Sequence, residues 1–495
     1  MLFTSWQFFL MLPCILFLYF IIPGSWRVCY LLAVSCLFYA SFHPVYLTVI
    51  VAVTALSWYG GLSLERKRKK QEPPGRPFYL YAGICLLFLL VFKYTGFVLD
   101  NLHRLSALFS GPSLELPFSL VMPVGISYYT FQVIGYLIDV SRGRIEAERN
   151  FLYYALYVSF FPKVISGPIE RAEAFLPQIR SCPAQKLWDG GRVRDGLVLM
   201  MWGYFQKLVI ADRLAILTGE VFGNYAGYGS VELFVAAAAF YVQLYTDFDG
   251  YTNIARGLAK VMGFSLAENF RAPFLAGSIR EYWSRWHISL STWLRDYVYI
   301  PLGGNRKGTL RRYVNLLLTF LVSGFWHGAA WNFVFWGMLH GIFEVAEAVT
   351  APWIRRMNDC LHTRTESFSY RLLRRGKCWL LVCFAYIFFK VPTAADGFRY
   401  LKRMVSKWNP WALFDGSLYT LGITEKYMHI LFLALLLLAA VDQVREKRHL
   451  EPDAWLAQQC IWFRWLAMLG CLLAVIVFGA YGPAYDAENF IYFGF

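Results

Sequence analysis

Charge is what this sequence has least of. Only 16% of its 495 residues are Asp, Glu, Lys or Arg, against about a quarter in a soluble protein. Hydrophobic residues make up 58% and aromatics 19%, so a soluble enzyme with a solvated surface is excluded. The signatures of the commonest soluble enzymes are missing as well: there is no HExxH, no GxSxG, no P-loop, and no GxGxxG opening a helix after a strand. CxxC is absent too. The ten cysteines, Cys14, Cys29, Cys36, Cys85 and Cys471 among them, are scattered and mostly lie inside apolar runs. That distribution excludes a zinc or other metal site and a disulfide frame, and reads as small core residues. No fixed-period repeat and no soluble domain is present, and the run of intramembrane charges needed for a voltage sensor is lacking.

What the chain does have is apolar stretches from end to end, which makes it an all-α polytopic membrane protein. Its net charge of +15 does not point to nucleic acid. The basic residues fall in short loops between apolar runs, the pattern of cytoplasmic loops. Residues 2–22 are long enough for one crossing. They lack a basic n-region and a cleavage site, so a retained helix is expected. Residues 27–62 break at His43-Pro44 and hold two short crossings, and Glu65-Arg66-Lys67-Arg68-Lys69-Lys70 follows as the strongest basic cluster. A crossing at 78–98 comes next, then a polar stretch with Pro112 and Pro117. Further helices are expected at 196–218 and 231–246, and C-terminal crossings at 378–391, 428–443 and 461–481. The basic loops at 65–76, 354–377 and 445–453 are placed in the cytoplasm and both termini outside.

Several segments are too polar for a plain crossing. Residues 118–140 are interrupted by Pro123, Gly125, Ser127, Gln132 and Asp139, and residues 151–171 by Lys163, Glu170 and Arg171. Broken helices of this kind are tolerated at membrane depth only when buried in protein or lining a cavity; kinked crossings with interfacial charges are the alternative. Asp247 and Asp249 close the helix at 231–246, either as cap and turn or as a polar element at a cavity mouth. Projected at 100° per residue, 280–297 puts Tyr282, Trp283, Trp286, Leu290, Trp293, Leu294 and Tyr297 on one face. Arg285, Ser289, Arg295 and Asp296 lie on the other, with His287 at the boundary. This helix either lies at the interface or lines an internal funnel. An Arg at Ser289 is expected to be tolerated better than one at Trp286. Its exit, Pro301-Leu302-Gly303-Gly304-Asn305-Arg306, is a basic turn rich in backbone donors.

Residues 313–345 are apolar yet carry His327 inside Gly-Phe-Trp-His-Gly. An imidazole in hydrocarbon needs a partner or a water-filled cavity, so His327 is either a functional group or a structural one bonded to a neighbouring helix. Gly324 and Gly328 would open space beside it for a backbone or a substrate. His340 has no such setting and reads as packing. If the loops on both sides are cytoplasmic, 313–350 must enter and return, which requires a break near His327. A neutral imidazole at this depth would serve as a general base for a hydroxyl or thiol, or as a proton relay in a transporter.

The ordered motifs Met-Leu-Phe-Thr-Ser (1–5), Pro-Val-Gly-Ile-Ser-Tyr-Tyr-Thr-Phe-Gln (123–132), Ser-Gly-Pro-Ile-Glu-Arg (166–171), the whole of 280–297, Pro-Leu-Gly-Gly-Asn-Arg (301–306), Phe-Trp-His-Gly-Ala (325–329) and Phe-Ile-Tyr-Phe-Gly-Phe (490–495) resemble the membrane-bound O-acyltransferase (MBOAT) family. The likeness is to its subfamily of bacterial alginate O-acetyltransferases and teichoic acid D-alanyl transfer proteins. The resemblance implies one membrane domain over 1–495 with a core motif region at about 118–345. It implies some 10–12 crossings plus broken, re-entrant and amphipathic helices around a central funnel. The family's catalytic His falls on His327 and its second motif His on His287. Gln132, Asp247, Arg295, Asp296, Asn305 and Trp326 are the substrate-facing candidates. The implied activity is acetyl transfer from cytoplasmic acetyl-CoA, with no bound cofactor, to an exported polysaccharide such as alginate. An extracytoplasmic acetyltransferase of SGNH type would receive the group, beside other polysaccharide-modification proteins. The implied location is the inner membrane, among lipids. D-alanyl transfer to teichoic acid and a non-enzymatic transporter or flippase subunit remain as alternatives.

Overall fold

The computed structural model describes residues 2–73, 75–108, 121–186 and 188–481. The motif at 490–495 and the prolines at 112 and 117 lie outside these residues. Every regular element among the described residues is helical. Among the described residues, six helices are long and apolar enough to cross a membrane, and two shorter apolar helices stand at the N-terminal end. The chain divides into two compact units.

The first unit comprises residues up to 200 together with 252–267. It opens with α1 (Trp6–Ile21), α2 (Arg27–Ala40) and α3 (Pro44–Lys69); the basic cluster expected in a loop at 65–76 lies on the last turn of the third helix. Ser5 caps α1, its hydroxyl accepting from the Phe8 amide, and Pro44 occupies the first position of α3, where its missing N–H costs nothing. Next come α4 (Gly75–Leu108), α5 (Ile126–Ser141), α6 (Phe151–Ser159), α7 (Ala172–Ser181) and the start of α8 (Gly190–Tyr204). The two interrupted runs are indeed broken. α5 begins only after Gly125, which holds φ +75°, where a Cβ would sit 2.2 Å from the Val164 carbonyl oxygen. The other run leaves helical geometry at Phe160 and stays buried to Glu170. Inside it, the Lys163 ammonium donates to the Gln132 Oε1 and the Tyr157 carbonyl, both at 2.7 Å. Irregular backbone at this depth is therefore enclosed in protein.

The second unit comprises 201–251 and residues from 268 onward. A π-helical stretch, Phe205–Ala211, precedes α9 (Asp212–Gly223), and α10 (Ser230–Val261) follows. The expected end of α10 near residue 246 is not there: Asp247 and Asp249 lie in mid-helix and are 1% exposed. They are neither cap nor turn. The Lys207 ammonium lies 2.6 Å from Asp247 and 2.7 Å from Asp212, while Gln206 donates to Asp249 at 2.8 Å. A buried carboxylate paired with a cation has no reason to end a helix.

The expected single helix at 280–297 is likewise broken, into α11 (Ile279–Arg285), α12 (Ile288–Leu294) and a π-helical turn, Arg295–Tyr299. The aromatic stripe is buried as projected, but so are His287 and Ser289, at 0% and 6% exposure. Ser289 does not face solvent, so its expected tolerance of arginine does not follow.

α13 (Thr309–His327) and α14 (Trp331–Cys360) form a tight antiparallel hairpin. α15 (Phe368–Lys390), α16 (Ala394–Ser406), α17 (Glu425–Arg448), α18 (Pro452–Ala457) and α19 (Ile461–Phe478) complete the unit. The basic loop expected at 354–377 shrinks to residues 361–367. Arg355 and Arg356 lie on the last turns of α14, and Arg371, Arg374, Arg375 and Lys377 on the first turns of α15.

Candidate functional site

The break predicted near His327 occurs at His327 itself, the last residue of α13, with Gly328 extended and α14 starting at Trp331. His327 is 4% exposed. Its ring centroid lies 5.0 Å from Trp326, 5.0 Å from Trp336 and 5.5 Å from Phe389. The second histidine is close: His287 stands 6.3 Å from His327, 5.8 Å from Trp326 and 4.7 Å from Phe248. Two imidazoles thus meet within one aromatic enclosure, although 40 positions separate them in sequence.

The glycines beside His327 act differently from what was expected. A Cβ on Gly324 would lie 2.4 Å from the Phe333 carbonyl oxygen and 3.3 Å from the Gly337 Cα, and one on Gly328 would lie 2.1 Å from the Phe333 ring. The space is filled by the facing helix, not left for a substrate. These glycines bring two helices into backbone contact, the small-residue mode of packing in membranes. Gly324→Ala should force the hairpin apart at a cost of about 1–3 kcal/mol, read as a lower unfolding temperature in detergent. An unchanged temperature would mean that the contact yields without strain.

A cavity of about 870 Å³ lies in the same unit. Its exposed lining includes Arg280, Arg295 and Asn305, and its buried lining includes Trp283, Phe320 and Ser323. Ser323 is one helical turn before His327 on α13, hence on the same face. Two buried polar atoms of this wall, the Trp283 Nε1 and the Ser323 Oγ, have no hydrogen-bond partner among the described residues. Arg312, Tyr299 and Glu344 also line the cavity. Sequence reading passed over Trp283 as part of an aromatic stripe and Ser323 as an ordinary residue of an apolar helix. The only signal for either was its position four residues before a histidine.

The other sequence candidates divide. Trp326 stacks edge-on to both histidines, and Arg295 and Asn305 line the cavity. Asp296 is 2.9 Å from Arg295 and is not among the lining residues. Asp247 is held by Lys207, one residue from the Phe248 that touches His287. Gln132 belongs to the first unit, where its Nε2 donates to the Tyr157 carbonyl at 2.6 Å. His340 is fully buried between Trp283 and Trp336, 5.0 Å from each, and neither ring nitrogen has a hydrogen-bond partner among the described residues. It packs, as expected. No group of three His, Cys, Asp or Glu side chains that could hold a metal ion occurs among the described residues.

Comparison with known proteins supplies the class that the fold and the buried histidines leave open. The model of the membrane-bound O-acyltransferase family matches residues 144–390, and the chain belongs to that family. It is similar to the probable alginate O-acetylase AlgI of Pseudomonas putida, with 34% identity over the full length of both chains. The peptidoglycan O-acetyltransferase of Helicobacter pylori is 31% identical over 77% of this chain and 74% of its own. The teichoic acid D-alanyltransferase of Streptococcus thermophilus is 28% identical over 56% of this chain and 65% of its own. The protein is a multi-pass membrane O-acyltransferase.

Proposed function

We propose that this protein moves acetyl groups from cytoplasmic acetyl-CoA across the inner membrane for O-acetylation of an extracytoplasmic polysaccharide, alginate or a similar exopolysaccharide. Two buried imidazoles 6.3 Å apart, with a cavity wall reaching one turn short of them, are the observation that carries this reading. End-to-end similarity to an alginate O-acetylase, against partial similarity to D-alanyltransferases, favours acetate over D-alanine.

In this reading the cavity takes the donor. The guanidinium groups of Arg280, Arg295 and Arg312 offer planar, permanently charged donors to its phosphates. The Trp283 indole and the Ser323 hydroxyl are free to bond its amide or acyl oxygens. α13 has 19 residues, so His327 stands about 28 Å along the helix from the basic turn at 301–308. That length suits a group delivered on one side and released towards the other. His327 takes the proton from the acceptor hydroxyl as the new ester bond forms and the donor's thiolate leaves, then passes that proton to the thiolate. His287 orients the acyl group or completes the polar path. A separate extracytoplasmic transferase of SGNH type would carry the acetyl group onward.

The test is alkali-labile ester on cell-surface polysaccharide from strains with and without the gene. Loss of acetate supports the reading. Loss of D-alanine would move the protein to the teichoic branch, and no change in any ester would leave a flippase-like role.

A further inference from the structure

His287 is held in an unusual backbone state. Its φ and ψ are 44° and 53°, the left-handed region that residues with a Cβ rarely enter and that persists only where surrounding structure enforces it. The enforcement comes from residues 268–271, a short irregular stretch after α10 that nothing in the sequence singles out. The Ile288 amide donates to the Asn269 carbonyl at 2.9 Å, and the Arg271 amide donates to the Arg285 carbonyl at 2.9 Å. The two bonds therefore bracket Trp286 and His287. Between them the Asn269 side chain turns inward. Its Oδ1 accepts from the Ser289 hydroxyl at 2.6 Å and from the Ser289 amide at 3.3 Å. Asn269 is fully buried.

The stretch is itself anchored. Arg445, 5% exposed, donates to the Phe270 carbonyl at 3.1 Å and to the Glu268 carboxylate at 2.7 Å. The Phe270 ring packs 4.9 Å from Trp286 and 5.1 Å from Phe248, and Phe248 in turn lies against His287.

We infer that Asn269 is a positioning residue: through its clasp on Ser289 it fixes the left-handed turn that aims the His287 imidazole at the His327 enclosure. The role in catalysis rests on the acetyl-transfer reading above; the role in aiming the ring does not. An asparagine suits the task because one amide oxygen accepts two donors while its carbonyl takes a third. A misaimed group of this kind costs turnover more than binding, since displacement by about 1 Å can lower rates about 10²-fold.

The test uses the full-length protein in nanodiscs with ¹⁵N-labelled histidine, the His287 signals being assigned by their loss in His287→Gln. Asn269→Ala should move the His287 ring nitrogen signals and leave those of His340 in place. With acetyl-CoA as donor, kcat should fall about 10- to 100-fold while KM stays within about twofold. Asn269→Asp keeps the shape and the Oδ acceptors but buries a carboxylate, so it should hold the His287 signals near their wild-type positions at a lower yield of folded protein. Ser289→Ala removes one hydroxyl only and should give the same signal shift in smaller measure, so the inference stays testable if Asn269→Ala does not fold. His287 signals unmoved in both variants would overturn it, whatever happens to kcat. If the wild type transferred no acetyl while the variants still moved the His287 signals, the proposed reaction would fail and the positioning would stand.

Discussion

His327→Ala is expected to lower acetyl transfer by about 10²–10⁴-fold, the usual contribution of a positioned general base, while the protein still accumulates in the membrane. The imidazole touches Trp326, Trp336 and Phe389, so truncating it loses packing of the order of 1–3 kcal/mol. That loss falls at a helix end, where the hairpin is held separately by the glycine contacts. His327→Gln should recover little, because an amide keeps the hydrogen bonding but cannot accept the proton at neutral pH. His340→Phe serves as the control: its ring is also buried, shares Trp336 as a neighbour with His327, and should retain most activity. The measurement is acetate released or transferred by purified protein supplied with acetyl-CoA and acceptor. Wild-type turnover in His327→Ala would sink the base role and leave the structural reading of this histidine.

Lys207→Met should all but abolish the folded protein. One ammonium contacts both Asp212 and Asp247, and all three side chains are 6% exposed or less. Removing the shared cation takes away the ammonium that contacts two buried carboxylates. Breaking a buried pair in this way costs about 3–5 kcal/mol, a large share of a marginal total stability. Adding Asp212→Asn and Asp247→Asn to Lys207→Met should restore much of the yield, because neutral amides remove the burial penalty. Yield and unfolding temperature of the single and triple variants in detergent decide the matter. If the triple variant folds and turns over normally, Asp247 has no direct contact with substrate and its place beside Phe248 is purely structural. Should Lys207→Met alone fold like wild type, the charge accounting is wrong.

Composition and the spacing of apolar runs were enough to expect helices in most of the right places, because a crossing helix is dictated by length and hydropathy. The three helices before residue 70, the break at His327 and the burial of Trp283, Trp286 and Trp293 were all legible. Long-range partners were not. Asp247 looked like a helix end because isolated carboxylates usually cap or turn; its pairing with Lys207, 40 positions earlier, makes it acceptable in mid-helix. The projection of 280–297 assumed one unbroken helix, and nothing local announces that Asn269 pulls the chain into a left-handed turn at His287. Periodicity assigned Ser289 to the polar face correctly, but it could not tell a polar face against water from one against a buried asparagine. The Gly324 and Gly328 spacing was visible. Their use as a helix contact depends on the two helices facing each other, which only the fold shows.

The hairpin also bears on how the chain is made. α14 is among the helices apolar and long enough to cross a membrane, and α13 is not. By length and composition, the helix that ends in His327 is a weaker candidate for crossing on its own than α14. Its lock to α14 through Gly324 and Gly337 means that the two would enter the bilayer as one loop. The aromatic enclosure of His327, which includes Trp336 of α14, is then assembled only after the later helix has been synthesised. A nascent chain halted soon after residue 330 should leave α13 accessible to an aqueous thiol reagent at an engineered cysteine. One halted well beyond residue 360 should protect it. Protection in the shorter chain would show that α13 needs no help to insert.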